Sequence, residues 1–360
     1  MTLRALNRAF LARQLLLERA PITPLAAIAQ LVAVQAQVAR PPFVGLWARV
    51  QGFVRDQLRG LLHRRAVVRA TFLRGTLHLL TAEDFLAYRA TLQPMLGAAV
   101  RAILKDRTAG LDLDALARFT RTRLPATFEA LRPQLVTQFP DHDERALGYA
   151  VRMHLPLVQV PTDDAWSFPA SAAFESAESW LGKTLCPALA FPALVRRYLA
   201  AFGPATVRDA QRWSGIPDLK PAFESLRPTL ITFHDDKRRE LFDLPDAPRP
   251  EQDRVSPVRL LPDYDNLVLG HDDRRRIIAD EHRPALTTKN LQVKATFLVD
   301  GFVAGTWAIE RTTGRKKYAA TVTLSPFGKL TKAARAAVAA EAEAMLQFAE
   351  PDAATRTIRI

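Results

Sequence analysis

The chain has 360 residues, 48% of them apolar and 24% charged, a balance typical of folded globular proteins rather than disordered ones. The single cysteine, Cys186, excludes an internal disulfide and suits a reducing compartment. No apolar run reaches the roughly 18–20 residues of a membrane span, and the N-terminus has no signal-peptide pattern. The seven histidines lack the spacing of metal ligands, so no structural zinc site is expected.

The net charge of +13 is concentrated in the N-terminal third. Residues 1–110 hold 16 Lys and Arg against 5 Asp and Glu, a balance of +11, whereas the rest of the chain contributes +2. Basic residues neutralise phosphates and release counterions, which favours a nucleic-acid partner. An arginine-rich genome would produce part of this bias without any function. The distribution predicts that a polyanion lies against the N-terminal third.

The first two predicted elements are helices. Apolar residues at helical spacing from Leu3 predict an amphipathic helix that ends before Pro21. Thr23-Pro24 is a typical N-cap followed by an N1 proline, so a second helix begins there. We expect that helix to end near Ala39, because Pro41-Pro42 cannot continue it.

A hairpin follows these helices. A third helix is predicted at 55–64, and strands at 67–73 and 76–80 join at Arg74-Gly75, which is a winged-helix pattern. A similar order recurs twice, without residue-level repetition. The second unit has predicted helices at 113–119, 128–135 and 146–151 and a wing at 157–160 and 166–168. The third unit begins with a capping box at 206–209, which opens a helix that ends at Gly215. A helix at 223–230 and strands at 231–233 and 240–244 follow it.

The C-terminal part has a β-type pattern. Residues 245–256 are rich in proline and charge and predict a linker. Strands are then predicted at 259–261, 291–299, 302–309 and 318–324, followed by an alanine-rich helix at 331–348. The resulting units are 1–110, 111–185, 186–250 and 251–360. The turn between the last two strands carries Arg311, Gly314, Arg315, Lys316 and Lys317, and is either a solvated charged loop or a basic finger for a DNA groove.

Gln35 and Gln37 flank Ala36 near the expected end of the second helix. On an ideal helix, residues two apart point in different directions, so these amides converge only if the last turn is distorted. The prolines just beyond give a reason for such distortion. Two ordinary surface glutamines are the alternative. Glutamine is neutral and cannot act as a strong base, but it can hold a water or a sugar oxygen by hydrogen bonds.

Other polar residues are less informative. His78 follows Thr76 by two positions on a predicted strand, where a lone histidine is usually structural or solvated. Asp263, Asp265 and Asp272-Asp273 are carboxylate-rich, but neighbouring arginines favour local ion pairing. The sequence shows no nucleophile elbow, phosphate-binding loop or paired-carboxylate spacing.

Three motifs stand in a characteristic order: Gln35-Ala36-Gln37, then Leu73-Arg74-Gly75-Thr76-Leu77-His78, then Leu260-Leu261-Pro262-Asp263-Tyr264-Asp265-Asn266-Leu267 followed by Asp273-Arg274. Together they resemble the winged-helix DNA-binding-domain superfamily of bacterial DNA glycosylases. The second glutamine places the chain nearer the AlkZ-like, azinomycin-resistance branch than the YcaQ branch, which has Asp there. The resemblance implies an α+β, mainly helical fold, with three tandem winged-helix motifs in a C-shaped scaffold and a C-terminal β-rich unit.

The resemblance also implies a function. Members of the family remove guanine alkylated at N7, and some unhook interstrand crosslinks made by natural-product alkylators. No lysine is indicated as a Schiff-base nucleophile, so we expect a monofunctional enzyme that leaves an abasic site and could act on crosslinks or bulky adducts, as in antibiotic self-resistance. Catalytic roles then fall on Gln35 and Gln37. The expected DNA contacts are Arg40, Arg74, Thr76, His78, Arg311, Gly314, Arg315, Lys316 and Lys317, with the hairpin around Gly314 in the minor groove. We expect a cytoplasmic, nucleoid-associated monomer that acts on double-stranded DNA without metal or cofactor, through an open cleft.

The chemistry fits two neutral amides. Guanine alkylated at N7 is already cationic and leaves without a strong general acid, so positioning water and stabilising the sugar cation suffice. A non-catalytic winged-helix DNA-binding protein, such as a regulator, would explain the charge and hairpins equally well, but it does not need the two glutamines. A scaffold or interaction protein with incidental basicity is the third alternative.

Overall fold

The computed structural model describes residues 1–288, 290, 292–313 and 318–360. Its helices are α1 (Leu3–Arg13), α2 (Pro24–Leu31), α3 (Pro41–Trp47), α4 (Arg55–His63), α5 (Ala82–Leu104), α6 (Leu113–Arg121), α7 (Phe128–Gln138), α8 (Glu144–His154), α9 (Ala177–Leu181), α10 (Phe191–Phe202), α11 (Val207–Ser214), α12 (Lys220–Leu226) and α13 (Lys332–Ala349). Its strands are β1 (Val34–Gln35), β2 (Val67–Thr71), β3 (Leu77–Thr81), β4 (Leu157–Gln159), β5 (Phe174–Ser176), β6 (Ile231–His234), β7 (Glu240–Asp243), β8 (Arg259–Leu261), β9 (Thr296–Val299), β10 (Phe302–Thr313), β11 (Tyr318–Pro326) and β12 (Thr355–Arg359). Within these ranges no helix is both long enough and apolar enough to cross a membrane.

The N-terminal sheet joins distant parts of the chain in the order β1-β3-β2-β4-β5. The β2–β3 hairpin predicted from the sequence is confirmed, with a short 3₁₀ turn at Leu73–Gly75. Strand β1 adds to the free edge of β3, where Gln35 lies opposite His78. On the other side, β4 pairs with β2 through Val158 and Ala70. Strands from 1–110 and from 111–185 therefore form one continuous sheet.

The second helix is much shorter than predicted. It ends at Leu31 because Val32 has a φ of 67°. This value lies outside the right-handed helical region, so the helix cannot continue through Val32. The next residues pair with β3 instead of extending the helix to Ala39. Pro41-Pro42 was expected to stop a helix, but the two prolines begin α3, whose first turn needs no intrahelical N–H donors.

Other boundaries also differ from the sequence-based expectation. The partner of β4 is β5 at Phe174–Ser176, not the stretch at 166–168. The strand expected over 291–299 is limited to β9, and β12 adds a parallel strand to β11. The sequence pattern predicted no helix at the positions of the long helix α5 and the largely buried helix α10. Helix α1 is confirmed and ends at Arg13, before Pro21 as predicted. The structure also confirms the hairpin of β6 and β7 and seven more of the predicted helices, namely α4, α6, α7, α8, α11, α12 and α13.

The C-terminal sheet has the order β12-β11-β10-β9-β8 and is covered by α13. The apolar stripe of that helix, including Val338, Ala342 and Met345, packs on the sheet side chains Trp307 and Val322. The indole Nε1–H of Trp307 donates to the carbonyl of Leu261 at 2.9 Å, which satisfies its only donor in the core. The prediction of an α+β fold with a β-rich C-terminal unit is confirmed.

Buried ion pairs hold the N-terminal helices against the later parts of the chain. Arg49 donates two hydrogen bonds to the Asp265 carboxylate, at 2.8 and 2.9 Å. Arg13 pairs in the same bidentate way with Asp243, and neither side chain of that pair is exposed. Arg13 also donates to the carbonyl of Pro248, so the 245–256 segment is fastened to α1. Because a buried charge is costly without its partner, these pairs fix the relative placement of the elements.

Candidate active site and DNA-binding surface

Gln35 and Gln37 lie after α2 rather than within a helix, Gln35 in strand β1 and Gln37 in the bend that follows it. The N–H of Ala36 donates to the Leu77 carbonyl at 2.8 Å, which continues the pairing with β3. Neither glutamine is helical, so helical spacing does not set the directions of the two amides, and the distorted helix end considered from the sequence is not needed.

Protein donors fix the orientation of both amides. The Gln35 side chain is buried, and its Oε1 accepts from Nη2 of Arg74 at 2.8 Å. The Gln37 side chain is exposed, and its Oε1 accepts from the N–H of Leu77 at 3.3 Å. An arginine and a backbone N–H can only donate, so in each case the contacting atom must be the amide oxygen. Each oxygen keeps a second lone pair, and each NH₂ group remains the donor side of its amide.

Arg69 holds the backbone of this segment. It lies in β2 and is buried, with Nε donating to the Ala36 carbonyl at 2.8 Å and Nη2 to the Gln37 carbonyl at 3.2 Å. Its guanidinium carbon stands 4.9 Å from the centroid of the Phe168 ring. Burial lowers the pKa of Arg69 to about 10, so it remains protonated at neutral pH. Sequence reasoning missed Arg69, because an arginine in a short strand is usually on the solvent side.

Arg74 connects Gln35 to a group of arginines. It has a φ of 55° in the hairpin turn and also donates to the carbonyl of Trp213. Burial, and then repulsion from Arg212 and Arg274, lower the pKa of Arg74 to about 10. Arg212 and Arg274 line a surface cleft of about 720 Å³. This cleft is lined by Arg212, Leu269, Arg274, Asp280, Arg283, Pro284, Thr287 and Val293.

These clustered cations, Arg212, Arg274 and Arg283, are only partly neutralised. Arg283 pairs with Asp280 at 3.1 Å, whereas burial and then the nearby charges of Arg283 and Arg212 lower the pKa of Arg274. Like charges held together repel one another unless an anion joins them. The cluster therefore has the properties of a site for an anionic group.

His78 is fully buried beneath the glutamine segment, opposite Gln35. Its Nδ1 lies 2.9 Å from the Thr76 carbonyl and must be the protonated nitrogen, while Nε2 has no partner among the described residues. Burial, and then the charge of Arg74, lower the pKa of His78 to about 3. The ring is therefore neutral at physiological pH, and its complete burial argues against the direct DNA contact expected at this position.

The depressed pKa of His78 predicts a loss of stability in acid. The unfolded chain gains a proton near pH 6.5 and the folded chain does not, so stability is full above that pH and falls as the pH decreases towards 3. We expect His78 to account for about 2 kcal/mol of lost stability between pH 7.5 and 5. Urea unfolding of His78→Asn at both pH values should show a correspondingly smaller loss. His63→Asn, at an exposed histidine, should keep the wild-type pH dependence.

Two of the predicted DNA contacts converge on one acid. Arg311 pairs with the fully buried Glu350 through Nε at 2.9 Å and Nη2 at 2.8 Å. Nη1 of Arg40 lies 3.7 Å from the other oxygen of the same carboxylate. This arrangement ties the base of the β10–β11 hairpin to the start of α3. The predicted contacts at Gly314, Arg315, Lys316 and Lys317 lie outside the described residues.

Two of the aspartates noted in the sequence, Asp265 and Asp273, have arginine partners in the structure. Asp265 is held by Arg49, and Nδ2 of its neighbour Asn266 donates to the Ala33 carbonyl, directly before β1. Asp273 accepts from Arg275 and Arg239, which hold its pKa well below the usual range despite burial. The interpretation of local ion pairing is confirmed for Asp273, which pairs with Arg275, whereas the partner of Asp265, Arg49, is distant in sequence. Among the described residues, no cluster of three or more His, Cys, Asp or Glu side chains could hold a metal ion.

An open cleft of about 420 Å³ lies beside Gln37. Thr76, one of the expected DNA contacts, lines it, although its hydroxyl also donates to the Leu73 carbonyl at 3.2 Å. The remaining lining residues are Arg69, Thr71, Gly75, Leu77, Phe128, Tyr149, Arg152, Met153, Gln159, Ala170, Ser171, Ala172 and Phe174. No carboxylate is among these lining residues, so the cleft has a positive character.

Three features are typical of a protein that acts on the bases of DNA. They are the basic N-terminal third, the amides held by protein donors next to the cleft at Gln37, and the arginine cluster that lines the second cleft. The family model described as "DNA glycosylase AlkZ-like" matches residues 28–348, and the chain therefore belongs to the AlkZ-like DNA glycosylase family. The sequence resemblance to this branch is thus confirmed.

A curated protein and a solved structure, both from Streptomyces sahachiroi, are similar to this chain. An interstrand DNA cross-link repair glycosylase is 31% identical over 137 residues, which is 36% of this chain and 36% of that protein. The matched segment thus spans about a third of the curated relative. The solved structure of the DNA glycosylase AlkZ aligns with a TM-score of 0.79 at 22% identity, over 99% of each chain. That similarity shows a shared fold across the whole length.

Proposed function

We propose that this protein is a monofunctional DNA glycosylase that hydrolyses the N-glycosidic bond of guanine alkylated at N7 in double-stranded DNA. Gln35 and Gln37 are the proposed catalytic pair. The observation that carries the proposal is the pair of amides held by protein donors, with Gln37 at an open cleft, in a chain of the AlkZ-like DNA glycosylase family.

The proposed reaction needs little acid or base strength. The alkylated guanine carries a positive charge, so the electron pair of the C1′–N9 bond neutralises the ring as that bond breaks. A water oxygen then bonds to C1′ and its proton passes to solvent, which leaves an abasic site and free N7-alkylguanine. The free lone pair on Oε1 of Gln37 can accept a hydrogen bond from this water and so direct the water oxygen towards C1′. The NH₂ of Gln35 can donate to a sugar oxygen.

The charge distribution supports hydrolysis rather than lyase chemistry. Arg69 and Arg152 line the cleft at Gln37, and no lysine is among its lining residues. Guanidinium groups stay protonated and do not form Schiff bases with a sugar aldehyde. Unactivated adenine or pyrimidine bases are expected to be poor substrates, because neutral amides cannot assist their departure.

The finer architecture belongs to the same proposal. We infer three tandem winged-helix motifs at 1–110, 111–185 and 186–250 in a C-shaped scaffold, with the β-rich unit at 251–360. The repeated order of helices followed by a hairpin supports this division. We also propose that the monomer binds alkylated duplex DNA, that Arg40, Arg74 and Arg311 contribute positive charge there, and that the hairpin carrying Arg315, Lys316 and Lys317 enters the minor groove.

Crosslinks and bulky adducts are proposed as further substrates. The relative named as an interstrand cross-link repair glycosylase supports this extension, as does the openness of the cleft at Gln37. An open cleft can accept a lesion whose substituent would not fit a tight base-flipping pocket. A role in resistance to an alkylating antibiotic is the corresponding biological proposal.

One assay tests the proposed activity. The purified protein is incubated with a duplex that contains a single N7-methylguanine, and the strand is then treated with alkali to reveal abasic sites. We expect cleavage at the lesion and no comparable release from an undamaged duplex. Tight binding to the lesion duplex without base release would instead support the non-catalytic DNA-binding alternative.

The arginine cluster yields a prediction about DNA binding. If Arg212 and Arg283 contact phosphates, replacing both by glutamine should weaken binding to all duplex sequences alike. The slope of log K against log salt concentration should become less steep by about 0.9 for each arginine. Arg227→Gln is the matched control, because the exposed Arg227 is already neutralised by Glu224 and Glu240. An unchanged salt slope in the double variant would refute phosphate binding at this cluster.

A further inference from the structure

The cleft beside Gln37 contains chemistry that hydrolysis does not use. Arg69 and Thr76 line its Gln37 side, where the glutamine segment meets the β2–β3 hairpin. Phe128, Tyr149 and Arg152 of α7 and α8 also line the cleft. Water could be positioned by the amides alone, so these additional side chains call for another occupant.

Gln159 supplies the strongest indication of a ligand. It lies in β4 with only 8% of its surface exposed, and it lines the cleft. Its Oε1 is buried and accepts no hydrogen bond from any described residue. Buried polar atoms nearly always have a partner, because leaving one unpaired is costly. A ligand that brings an N–H or O–H donor into the cleft would satisfy this oxygen.

The wall formed by Phe128, Tyr149 and Arg152 is suited to a flat aromatic group. The guanidinium carbon of Arg152 lies 5.0 Å from the centroid of the Phe128 ring, and the half-buried Tyr149 adds a second ring. Aromatic rings and planar guanidinium groups stack favourably with other aromatic systems. Arg69 and Arg152 are cationic, and no Asp or Glu is among the lining residues, so an N7 substituent that adds a positive charge of its own is disfavoured.

We infer that this cleft binds the substituent carried by N7 of the lesion, and that it selects an aromatic substituent bearing a hydroxyl or N–H donor. The inference rests on the proposed glycosylase function. In guanine, N7 is separated from N9 by the single ring carbon C8. When Gln37 faces the bond between C1′ and N9, a group on N7 therefore starts within reach of the same cleft. The stacking wall receives its ring, and Oε1 of Gln159 accepts from its donor.

The test uses three duplexes that differ only in the group on N7 of one guanine. These groups are methyl, 2-phenylethyl, and a phenylethyl group with a hydroxyl on its two-carbon chain, as made by styrene oxide and called hydroxyphenylethyl below. Base release is measured as kcat/KM for wild type, Gln159→Leu and Arg152→Leu. We expect Gln159→Leu to lower the ratio of hydroxyphenylethyl to phenylethyl release by about tenfold, because it removes one hydrogen bond to a buried acceptor. Arg152→Leu should lower the ratio of kcat/KM for either aromatic lesion to kcat/KM for the methyl lesion. The control is Gln134→Leu, at an exposed glutamine of α7.

The outcomes separate the two proposals. If wild type releases none of the three bases, the proposed glycosylase function fails. If wild type releases them but both ratios stay at the wild-type value in Gln159→Leu and Arg152→Leu, the substituent site is overturned and the glycosylase function stands. Circular dichroism melting of each variant identifies any loss of folding, and ratios between substrates are unaffected by a reduced fraction of folded protein.

Discussion

Replacing Gln37 by alanine is expected to lower the single-turnover rate of N7-methylguanine release by about 10²–10³-fold, the usual cost of removing one oriented polar group from a reaction centre. The substitution removes the exposed amide that can hold the nucleophilic water. It removes no charge, so binding to the duplex should persist. Quenched-flow or gel-based strand cleavage measures the rate, and fluorescence anisotropy measures the binding.

Gln35→Ala should behave differently, because the two glutamines have different surroundings. Gln35 is buried, and its removal takes the side-chain oxygen away from Arg74. We therefore expect a lower melting temperature in addition to a lower rate, whereas Gln37→Ala should melt like wild type. Gln51→Ala provides the control at an exposed glutamine elsewhere in the same region. Unchanged base release in both Gln35→Ala and Gln37→Ala would remove the catalytic assignment of the pair.

Arg69→Ala is expected to have the second-largest effect on the rate. Arg69 donates to the carbonyls of Ala36 and Gln37 and so fixes the segment that carries both amides. Without it the Gln37 amide samples several positions, and we expect the rate to fall by about 10–100-fold, since small misplacements of a positioned group are costly. Stability should fall by about 2–4 kcal/mol, because buried carbonyls lose their donors. Arg69→Lys should recover only part of the rate, since a single ammonium does not match both carbonyls.

A double substitution distinguishes positioning from a general loss of structure. If Arg69 acts through Gln37, then Arg69→Ala should cost little additional rate in a protein that already carries Gln37→Ala. All rates are measured well below the melting temperature of the weakest variant. Arg259→Ala is the matched control, because Arg259 is also a buried strand arginine with a pKa lowered by burial to about 10, but it lies in the C-terminal sheet. Fully multiplicative effects of the two substitutions would contradict a positioning role.

Local signals predicted much of the secondary structure. Thr206 and Asp209 form the reciprocal capping box expected from the sequence, and Gly215 ends the same helix in the left-handed conformation. The β2–β3 hairpin and α13 also follow from short-range periodicity. These elements could be predicted because their caps, turns and apolar faces lie within a few residues of one another.

The errors arose where partners distant in sequence decide the conformation. Residues up to Ala39 have helical periodicity, yet the chain leaves the helix at Val32 because β3 offers hydrogen-bond partners about 40 positions later. Pairing across the sheet outweighs the small differences in local helix propensity. The same cause explains why the partner of β4 was misplaced, since β5 competes with nearer segments for that edge.

The sequence by itself determined the chemistry that the protein can use: a neutral amide pair at Gln35 and Gln37, an excess of arginine in the N-terminal third, and aspartates with arginine partners. Only the tertiary structure decided how those groups are arranged. Arg74 orients the first amide, Arg69 fixes the backbone of the second, and Gln159 lies buried in the cleft beside them. The reason is physical, because side-chain identity is local whereas burial and hydrogen-bond partners are set by segments that meet only when the chain folds.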